Sequence, residues 1–362
     1  MAEGETRVFV VTQSLMDSKD AMTMSTIVDA TIETTDLDTA PAAVTREHIA
    51  TLKTGIQRSE EFEKKGLAGY AVNVGTKCGH DCTYCSTGSV LRRHDSFKAA
   101  AENPFDLGYA IVDPSMPDRV AIDAASIRPE KRGLVQLCTT TDAWSPEAQE
   151  YDLGRKCLDA ILSQPGWSVR ILTKSAAVAK DFDLVAQHRD RVLVGLSLTA
   201  PPNKANIMKR IEPCASTIPE RIAAMKEAHR LGLRTYVMLC PLLPGIADDL
   251  ESIEELVQIG IDTGAESFFA EPVNARGRAL IHTVEALREA GYNAEAAAVD
   301  EVRHEIEWSA YVVRLVGNVH EALRRHGVLG KLRFLLYAAR LTGEAATWIR
   351  QHGDGVVWLV KE

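Results

Sequence analysis

Three cysteines in one short segment are the residues of this chain best suited to do chemistry. The segment runs Cys78-Gly-His-Asp-Cys82-Thr-Tyr-Cys85, a C-x3-C-x2-C spacing. Cysteine thiolates are the usual ligands of iron–sulfur clusters, and three of them leave one iron of a [4Fe–4S] cube without a protein ligand. That iron is then free to bind a small molecule. The spacing therefore predicts a cluster with one open iron.

Two other uses of cysteine fit the sequence less well. Structural zinc normally takes four ligands, often from two C-x2-C pairs, and this segment has only one such pair. His80 is too close in sequence to the neighbouring cysteines to complete a tetrahedron comfortably. The other cysteines, Cys138, Cys157, Cys214 and Cys240, are scattered singly. A disulfide framework is disfavoured because the count of seven is odd and the first thirty residues contain no apolar segment typical of a secretory signal.

Composition limits the possible classes of protein. The chain has 362 residues, of which 46% are hydrophobic and 25% charged, as in ordinary globular proteins. No run of apolar residues is long enough to predict a membrane span. The net charge of −9 disfavours, without excluding, a nucleic-acid partner, because phosphate binding needs clustered cations. Unpaired cysteines and an oxygen-sensitive cluster indicate a reducing, cytoplasmic location.

Six short apolar segments alternate with helical ones, which indicates parallel strands joined by right-handed crossovers. The predicted strands cover residues 69–74, 133–138, 167–172, 192–198, 233–239 and 266–270. Helices are predicted over 148–163, 184–189, 219–231 and 248–263. The first strand is followed by the cysteine segment instead of a glycine-rich phosphate turn, and barrels carry their chemistry on such loops. The pattern predicts an α/β fold, a partial (β/α)6 TIM-like barrel.

The flanking regions predict three parts. Residues 1–68 are expected to form an N-terminal extension, with a short strand over 7–12, an otherwise irregular or flexible arm to residue 45, and a polar helix over 46–65. The barrel covers 69–280, with an additional loop and a helix near 117–127. Residues 281–362 are expected to form a C-terminal helical cap, with a helix over 294–327 and strand or helix over 331–337 and 355–361.

The cysteine segment resembles the motif of the radical S-adenosylmethionine (radical SAM) superfamily at every defining position. The resemblance implies a six-stranded partial barrel and a [4Fe–4S] cluster on Cys78, Cys82 and Cys85. It also implies that the open iron chelates SAM and that an electron splits SAM into methionine and a 5′-deoxyadenosyl radical. Tyr84, before the third cysteine, would lie against adenine. An electron donor such as flavodoxin or ferredoxin is the expected partner.

Segments at the ends of later strands resemble the branch that contains spore photoproduct lyase and DNA repair photolyase-like proteins. These segments are residues 140–142, 144–147, 172–175, 195–199, 210–213 and 240–245. By position, Thr141 and Asp142 are expected at the SAM amino group, Lys174 at its carboxylate and Ser197 at the ribose hydroxyls. Arg210 is a further candidate for cofactor binding.

Each of these positions has an alternative interpretation. Asp142 and Lys174 could be solvated charges at strand ends, and Arg210 could form an ion pair with Glu212. Such plain roles are common for polar residues on loops.

Candidates for substrate chemistry are weaker. Cys138 and Cys240 end two strands, but a lone buried cysteine usually packs as a small hydrophobe. Glu271 follows the sixth strand. The C-terminal region of spore photoproduct lyases has no match here, which disfavours repair of a nucleic-acid photoproduct. That repair is therefore kept as an alternative and not as the main hypothesis. A SAM-binding iron–sulfur sensor or scaffold without turnover and a zinc-stabilised binding module are the others. The substrate is left open.

Overall fold

The structure, a computed structural model, describes residues 7–10, 44–275 and 278–359. The strand predicted near the N-terminus is present as β1, Arg7–Val10. The flexible arm predicted for the rest of residues 1–45 falls mostly outside the described residues.

The described residues contain thirteen strands. In chain order they are β1 (Arg7–Val10), β2 (Val44–Ile49), β3 (Gln57–Arg58), β4 (Tyr70–Val72), β5 (Gly75–Lys77), β6 (Tyr109–Val112), β7 (Leu134–Leu137), β8 (Ser168–Thr173), β9 (Val192–Ser197), β10 (Arg234–Leu242), β11 (Phe268–Pro272), β12 (Leu332–Tyr337) and β13 (Val356–Leu359).

The same residues contain fourteen α-helices. They are α1 (Glu60–Lys64), α2 (Thr87–Val90), α3 (Asp95–Ala99), α4 (Met116–Ser126), α5 (Pro146–Glu150), α6 (Leu153–Leu162), α7 (Phe182–Gln187), α8 (Ala205–Ile211), α9 (Ile218–Arg230), α10 (Leu250–Asp262), α11 (Ala279–Glu289), α12 (Asn293–Glu301), α13 (Glu305–Arg325) and α14 (Gly343–His352). None of them is long and apolar enough to cross a membrane.

The main sheet has the strand order β13-β12-β11-β10-β9-β8-β7-β4-β3. All neighbouring pairs from β4 to β13 are parallel, and only the short edge strand β3 is antiparallel. The six predicted strands are β4, β7, β8, β9, β10 and β11, and they lie side by side in chain order. The predicted α/β class and barrel-type sheet are confirmed.

The C-terminal region contributes more to the sheet than a helical cap would. It provides α12, α13 and α14, but also β12 and β13, which extend the parallel sheet beyond β11. These are the segments for which the sequence left strand and helix open. The long helix predicted over 294–327 is two helices, because His304 begins α13 in an extended conformation. The helix predicted over 148–163 is likewise divided, at Asp152, which has a positive φ of 57°.

A second, smaller sheet has the order β1-β2-β6-β5. The polar helix predicted over residues 46–65 was wrong for most of its length. Residues 44–49 form β2, and only α1 is helical there. The strand β6 was also missed. Both strands depend on pairing with distant segments, which local polarity does not reveal. The small sheet matters for function because β5 leads directly into the cysteine segment.

The two faces of the main sheet carry different side chains. Residues such as Val169, Ile171 and Val194 pack on one face into the large core with the helices. The opposite face carries Leu193, Tyr236, Met238, Phe269, Leu335 and Leu359, which form a separate cluster together with Leu67. This second face is the barrel interior. Leu67 and the half-buried Phe62 bring the segment around α1 into contact with it.

Gly195 shows why the interior needs one small residue. A Cβ atom at this position would lie 2.1 Å from the ring of Tyr236. The ring crosses β9 at this point, and its hydroxyl donates a 2.9 Å hydrogen bond to the carbonyl of Ile171 on β8. Any larger side chain at position 195 would displace Tyr236.

Candidate functional site

The cysteine loop, residues 78–86, connects β5 to α2 at the carboxyl end of the barrel. Cys82 is buried, Cys78 is partly exposed and Cys85 is exposed. The backbone N–H of Cys85 donates to the carbonyl of Cys82, so the last two cysteines share a turn. A small crevice of about 40 Å³ is lined by all three cysteines. The three thiols predicted as cluster ligands are therefore close together and partly accessible.

Buried acids hold the first half of the loop in place. The N–H of Gly79 donates to both carboxylate oxygens of Glu147, at 3.0 and 3.1 Å. His80 is buried and lies 2.9 Å from Asp142 through Nε2, while Nδ1 is 3.2 Å from the carbonyl of Cys214. Burial alone would lower the pKa of His80, but the charge and hydrogen bond of Asp142 outweigh it and raise that pKa. His80 is thus placed as a support for the loop.

The second half of the loop is attached to two helices. The N–H of Thr83 donates to the carbonyl of Ile211 at the end of α8. The Thr83 hydroxyl is also 3.0 Å from that of Thr283 on α11. These contacts hold the segment that contains Cys82 and Cys85 against the barrel.

Asp142 is saturated with protein partners. Besides His80, it accepts hydrogen bonds from the N–H groups of Trp144 and Lys174 and from the hydroxyl of Thr173. Burial acts to raise the pKa of Asp142, but the charge of His80 and these donors lower it overall. Its predicted contact with the SAM amino group stays a prediction, and the observed partners give it a clear structural role.

Tyr84 contacts a buried ion pair. Its hydroxyl donates a short hydrogen bond to Glu212, which also forms a salt bridge with Arg221. Arg221 is 1% exposed, and it also donates to the carbonyls of Ser197 and Ser216. Burial acts to raise the pKa of Glu212, but Arg221 and then Lys174 lower it. The salt-bridge partner of Glu212 is therefore Arg221, so the alternative interpretation of Arg210 as its ion-pair partner was wrong.

Lys174 and Ser197 meet on the inner side of the barrel rim. Lys174 Nζ donates to Ser197 Oγ at 2.7 Å and to the carbonyl of Cys240 at 3.2 Å. Ser197 Oγ donates in turn to the same carbonyl at 2.7 Å. The ammonium lies 5.7 Å from the centre of the Tyr84 ring and 3.9 Å from Glu212. Three of the predicted cofactor residues, Tyr84, Lys174 and Ser197, are thus brought together beside Cys82.

The remaining predicted residues are placed differently. Thr141 lies on the loop after β7 and donates through its hydroxyl to Asn73, at 3.3 Å. Cys138 is buried in the core, as expected for a packing cysteine. Arg210 is exposed on α8, away from the inner group formed by Lys174 and Ser197.

Cys240 and Glu271 lie next to each other at the ends of β10 and β11. The thiol donates to the carboxylate at 3.4 Å, and both side chains are partly exposed toward the barrel interior. Burial raises the pKa of Glu271, against the opposing charge of Lys65. It also raises the pKa of Cys240, and the neighbouring Glu271 adds to this effect. The pair is therefore a partly exposed thiol beside a carboxyl group that holds its proton more strongly than usual.

The donor set of the cysteine loop fits an iron–sulfur cluster. Burial, followed by the charge of Glu147, raises the pKa of Cys78. Thiols in such surroundings become thiolates when metal charge is supplied, because a coordinating thiol is deprotonated by its metal. In the part of the chain that the structure describes, no three His, Cys, Asp or Glu side chains are grouped to bind a single metal ion. A cubane cluster instead places each thiolate on a different iron.

Several site residues were not anticipated from the sequence. Glu147, His80 as a supporting residue, and Arg221 all act through contacts between segments far apart in the chain. Asn73 also escaped notice, although its carboxamide oxygen accepts from the N–H groups of Thr139, Thr140 and Thr141. Only the position of Asn73, near the end of the first predicted strand, offered a signal.

Together, the parallel barrel sheet and the three-cysteine loop at its carboxyl end define the class of α/β barrel proteins with a loop-borne cluster site. The sequence matches the radical SAM superfamily over residues 72–258, just over half of the chain. The chain therefore belongs to the radical SAM superfamily and is a radical SAM enzyme. The cofactors of this family are a [4Fe–4S] cluster and SAM.

Two relatives and one solved structure are similar to this chain. An uncharacterized protein of Acidianus two-tailed virus is 30% identical over 217 residues, which covers 58% of this chain and 68% of the relative. An uncharacterized protein of Methanocaldococcus jannaschii is 25% identical over 181 residues, covering 50% and 63%. A spore photoproduct lyase variant superposes with a TM-score of 0.55 at 16% identity, over 79% of this chain and 80% of that structure. At this identity the likeness shows a shared fold.

Proposed function

We propose that Cys78, Cys82 and Cys85 hold the [4Fe–4S] cluster and that the enzyme abstracts a hydrogen atom from a substrate held in the barrel. When bound, the cluster supplies the electron that splits SAM into methionine and a 5′-deoxyadenosyl radical. The observation that carries the proposal is the grouping of three thiols on one loop, beside Lys174, Ser197 and Tyr84.

The inner group gives each side chain a task. The Lys174 ammonium is the cation available to the SAM carboxylate. Ser197 presents a short hydroxyl for a ribose oxygen, and it is already positioned by the carbonyl of Cys240. Tyr84 offers a ring face next to Cys82 for adenine. Asp142 acts as a positioning residue, because it holds His80 and the backbone of Lys174 in place.

The barrel interior also provides the surroundings that a radical reaction needs. A radical needs a site from which water and competing donors are excluded, and the interior cluster supplies apolar walls. Cys85 is the exposed member of the loop, so an electron carrier such as flavodoxin or ferredoxin would approach on that side. We expect the enzyme to work in the reducing cytoplasm, where thiols and cluster persist.

The proposal is tested by anaerobic reconstitution with iron and sulfide, followed by dithionite and SAM. The wild-type chain should develop an iron–sulfur chromophore and release 5′-deoxyadenosine only when dithionite is present. The matched control is Cys157→Ala, which removes a buried cysteine outside the loop. This variant should keep both properties, while Cys82→Ala should lose them.

Cleavage of SAM by a reconstituted triple Cys→Ala variant of the loop would refute the proposal. Binding of cluster and SAM without any 5′-deoxyadenosine, even under strong reductant, would favour a sensor or scaffold. Zinc without iron after anaerobic purification would favour a zinc-stabilised module.

A further inference from the structure

We propose that the barrel interior contains a binding site for an anionic group of the substrate, a carboxylate or a phosphate, with Arg170 as its anchor. The proposal rests on the proposed function, since it names the chemical class of molecule that the radical would attack. It starts from a buried cation that forms no salt bridge with any acid among the described residues.

Arg170 is directed into the barrel by the alternation of β8. Leu172 belongs to the interior cluster, and Lys174 reaches Ser197 on the inner rim, so positions 170, 172 and 174 share the inner face. Arg170 is paired in register with Gln136 on β7 and with Leu193 on β9. Its side chain therefore lies one layer below Leu172 and two layers below the predicted SAM site.

The guanidinium of Arg170 is buried and incompletely bonded. The residue is only 8% exposed, and its Nε and Nη1 atoms have no hydrogen-bond partner. None of the ion pairs in the described residues includes it. The charge of Glu266 acts on Arg170 without a salt bridge, and this carboxylate is bound in bidentate fashion by Arg234. Because a buried charge is costly without a partner, an unpaired arginine at this depth indicates a missing anion.

Aromatic rings define where that anion would bind. The guanidinium carbon lies 4.8 Å from the ring centre of Tyr236 and 5.0 Å from that of Phe269. Such contacts involve the flat faces of the guanidinium, and its N–H groups point outward from the edge in the plane of the group. Two parallel N–H groups on that edge match the oxygens of a carboxylate or phosphate. A lysine ammonium has no such pair of parallel N–H groups.

Toward the rim above Arg170, several side chains of the inner face keep partial exposure. Leu172, Cys240, Glu271 and Tyr337 belong to or border the interior, and each remains partly exposed. Four residues of strand separate Arg170 from Lys174, which corresponds to roughly 13 Å. A substrate with its anionic group on Arg170 would therefore extend toward Lys174 and pass Cys240 and Glu271. This predicts a small, elongated carboxylate or phosphate ester.

The test measures anion binding by the reconstituted full chain without SAM. Melting temperatures are recorded against increasing inorganic phosphate in one arm and malonate in the other, at constant ionic strength with chloride. The proteins are wild type, Arg170→Met, Arg170→Lys and the exposed control Arg210→Met. Binding to the folded state raises the melting temperature in proportion to the logarithm of ligand excess.

At least one anion should stabilise the wild type and Arg210→Met equally. Arg170→Met should weaken its apparent binding at least tenfold, and Arg170→Lys should restore part of it. The arm with the stronger response identifies phosphate or carboxylate as the substrate group. If Arg170→Met does not fold, weaker binding by Arg170→Lys than by Arg210→Met still supports the proposal.

An unchanged response in both Arg170 variants, or no response in the wild type, would overturn it. SAM cleavage is measured separately on the same preparation. Loss of anion binding with intact release of 5′-deoxyadenosine would therefore refute the anion site alone, and the reverse result would refute only the proposed function.

Discussion

Two regions of the barrel treat buried charge in opposite ways. Beneath the cysteine loop, His80 lies against Asp142, and Arg221 against Glu212, so each charge has a partner of opposite sign. We call these four residues the loop network. Among the described residues of the barrel interior, Arg170 forms no salt bridge, and the only hydrogen-bond donor to Glu271 is the Cys240 thiol. Paired charges fix a backbone, whereas unpaired ones remain available to a ligand.

The direction of the pKa shifts expresses the same difference. Glu212, which is buried, and Glu271, which is partly exposed, both lie on the functional side of the barrel. The pKa of Glu212 is lowered, because Arg221 and Lys174 outweigh the effect of burial. That of Glu271 is raised, because burial dominates there. Glu212 therefore loses its proton more readily than an ordinary glutamate, and Glu271 holds its proton more strongly.

Breaking the loop network should have the largest effect. Arg221→Met removes the main cation next to Glu212 and leaves a buried carboxylate without a charged partner within 3 Å. We expect a loss of about 3–5 kcal/mol in the free energy of unfolding, measured by urea titration at neutral pH. Arg210→Met is the control, since it removes an exposed arginine. A loss below about 1 kcal/mol would contradict the role of the pair.

Asp142→Ala should be the next most severe change. It leaves the N–H groups of Trp144 and Lys174, the Thr173 hydroxyl and His80 without their acceptor. The expected cost is about 3 kcal/mol, together with reduced iron uptake on reconstitution. Thr141→Ala, which loses one hydrogen bond to Asn73, should cost less than about 1 kcal/mol. Equal effects of the two substitutions would show that Asp142 is not a central support.

Glu271→Gln should change how stability depends on pH. Because the pKa of Glu271 is raised on folding from its ordinary value of 4.5, the folded state holds this proton more strongly than the unfolded state. Its contribution is complete below pH 4.5 and is lost as pH rises through the folded-state pKa. The variant should therefore gain stability relative to wild type over that range. Parallel curves of unfolding free energy against pH would disprove the shift.

Arg170→Met should have a small effect on stability, in contrast to Arg221→Met. No salt bridge is broken, and the loss of two ring contacts is offset by the removal of an unpaired buried charge. The expected change is within about 1 kcal/mol in either direction, by the same urea titration. A loss as large as that of Arg221→Met would mean that Arg170 is a structural residue.

The smallest effect is expected for a surface pair. Arg155 binds Asp183 in bidentate fashion, and this hydrogen bonding lowers the pKa of Asp183 to about 2. Because both groups are solvated, Asp183→Asn should leave the melting temperature within experimental error at neutral pH. A clear decrease would show that paired surface charges matter here as much as those of the loop network.

Much of the central fold was readable because its signals are local. Apolar strands between capped helices need no knowledge of partners: α9 begins with Thr217 and Glu220 in a capping box, and Asp249 caps α10. The strands β2 and β6 were missed because short strands of mixed polarity are stabilised by distant neighbours. The division between barrel and flanking parts stays a prediction.

The candidate site, like the fold, was predictable where its signals are local. The cysteine spacing identified the loop because a cluster requires three thiolates within a few residues, which is a property of sequence alone. Lys174 and Ser197 were predicted from the family resemblance, and they lie together because strand ends of one parallel sheet meet at one edge. Their roles toward SAM stay predictions. Arg210 shows the limit of such reasoning, because position near a motif does not say which way a helix faces.

By itself, the sequence determined the family, the cofactor chemistry and the order of the central strands, since motif spacing and periodicity are encoded locally. Only the tertiary structure decided which charges are paired. Glu212 forms a salt bridge with Arg221, whereas Arg170 forms none within the described part of the chain. The difference arises because burial and distance depend on how β8, β9 and α9 pack together. Electrostatic energies depend on those distances and on the exclusion of water, and neither can be read from the chain alone.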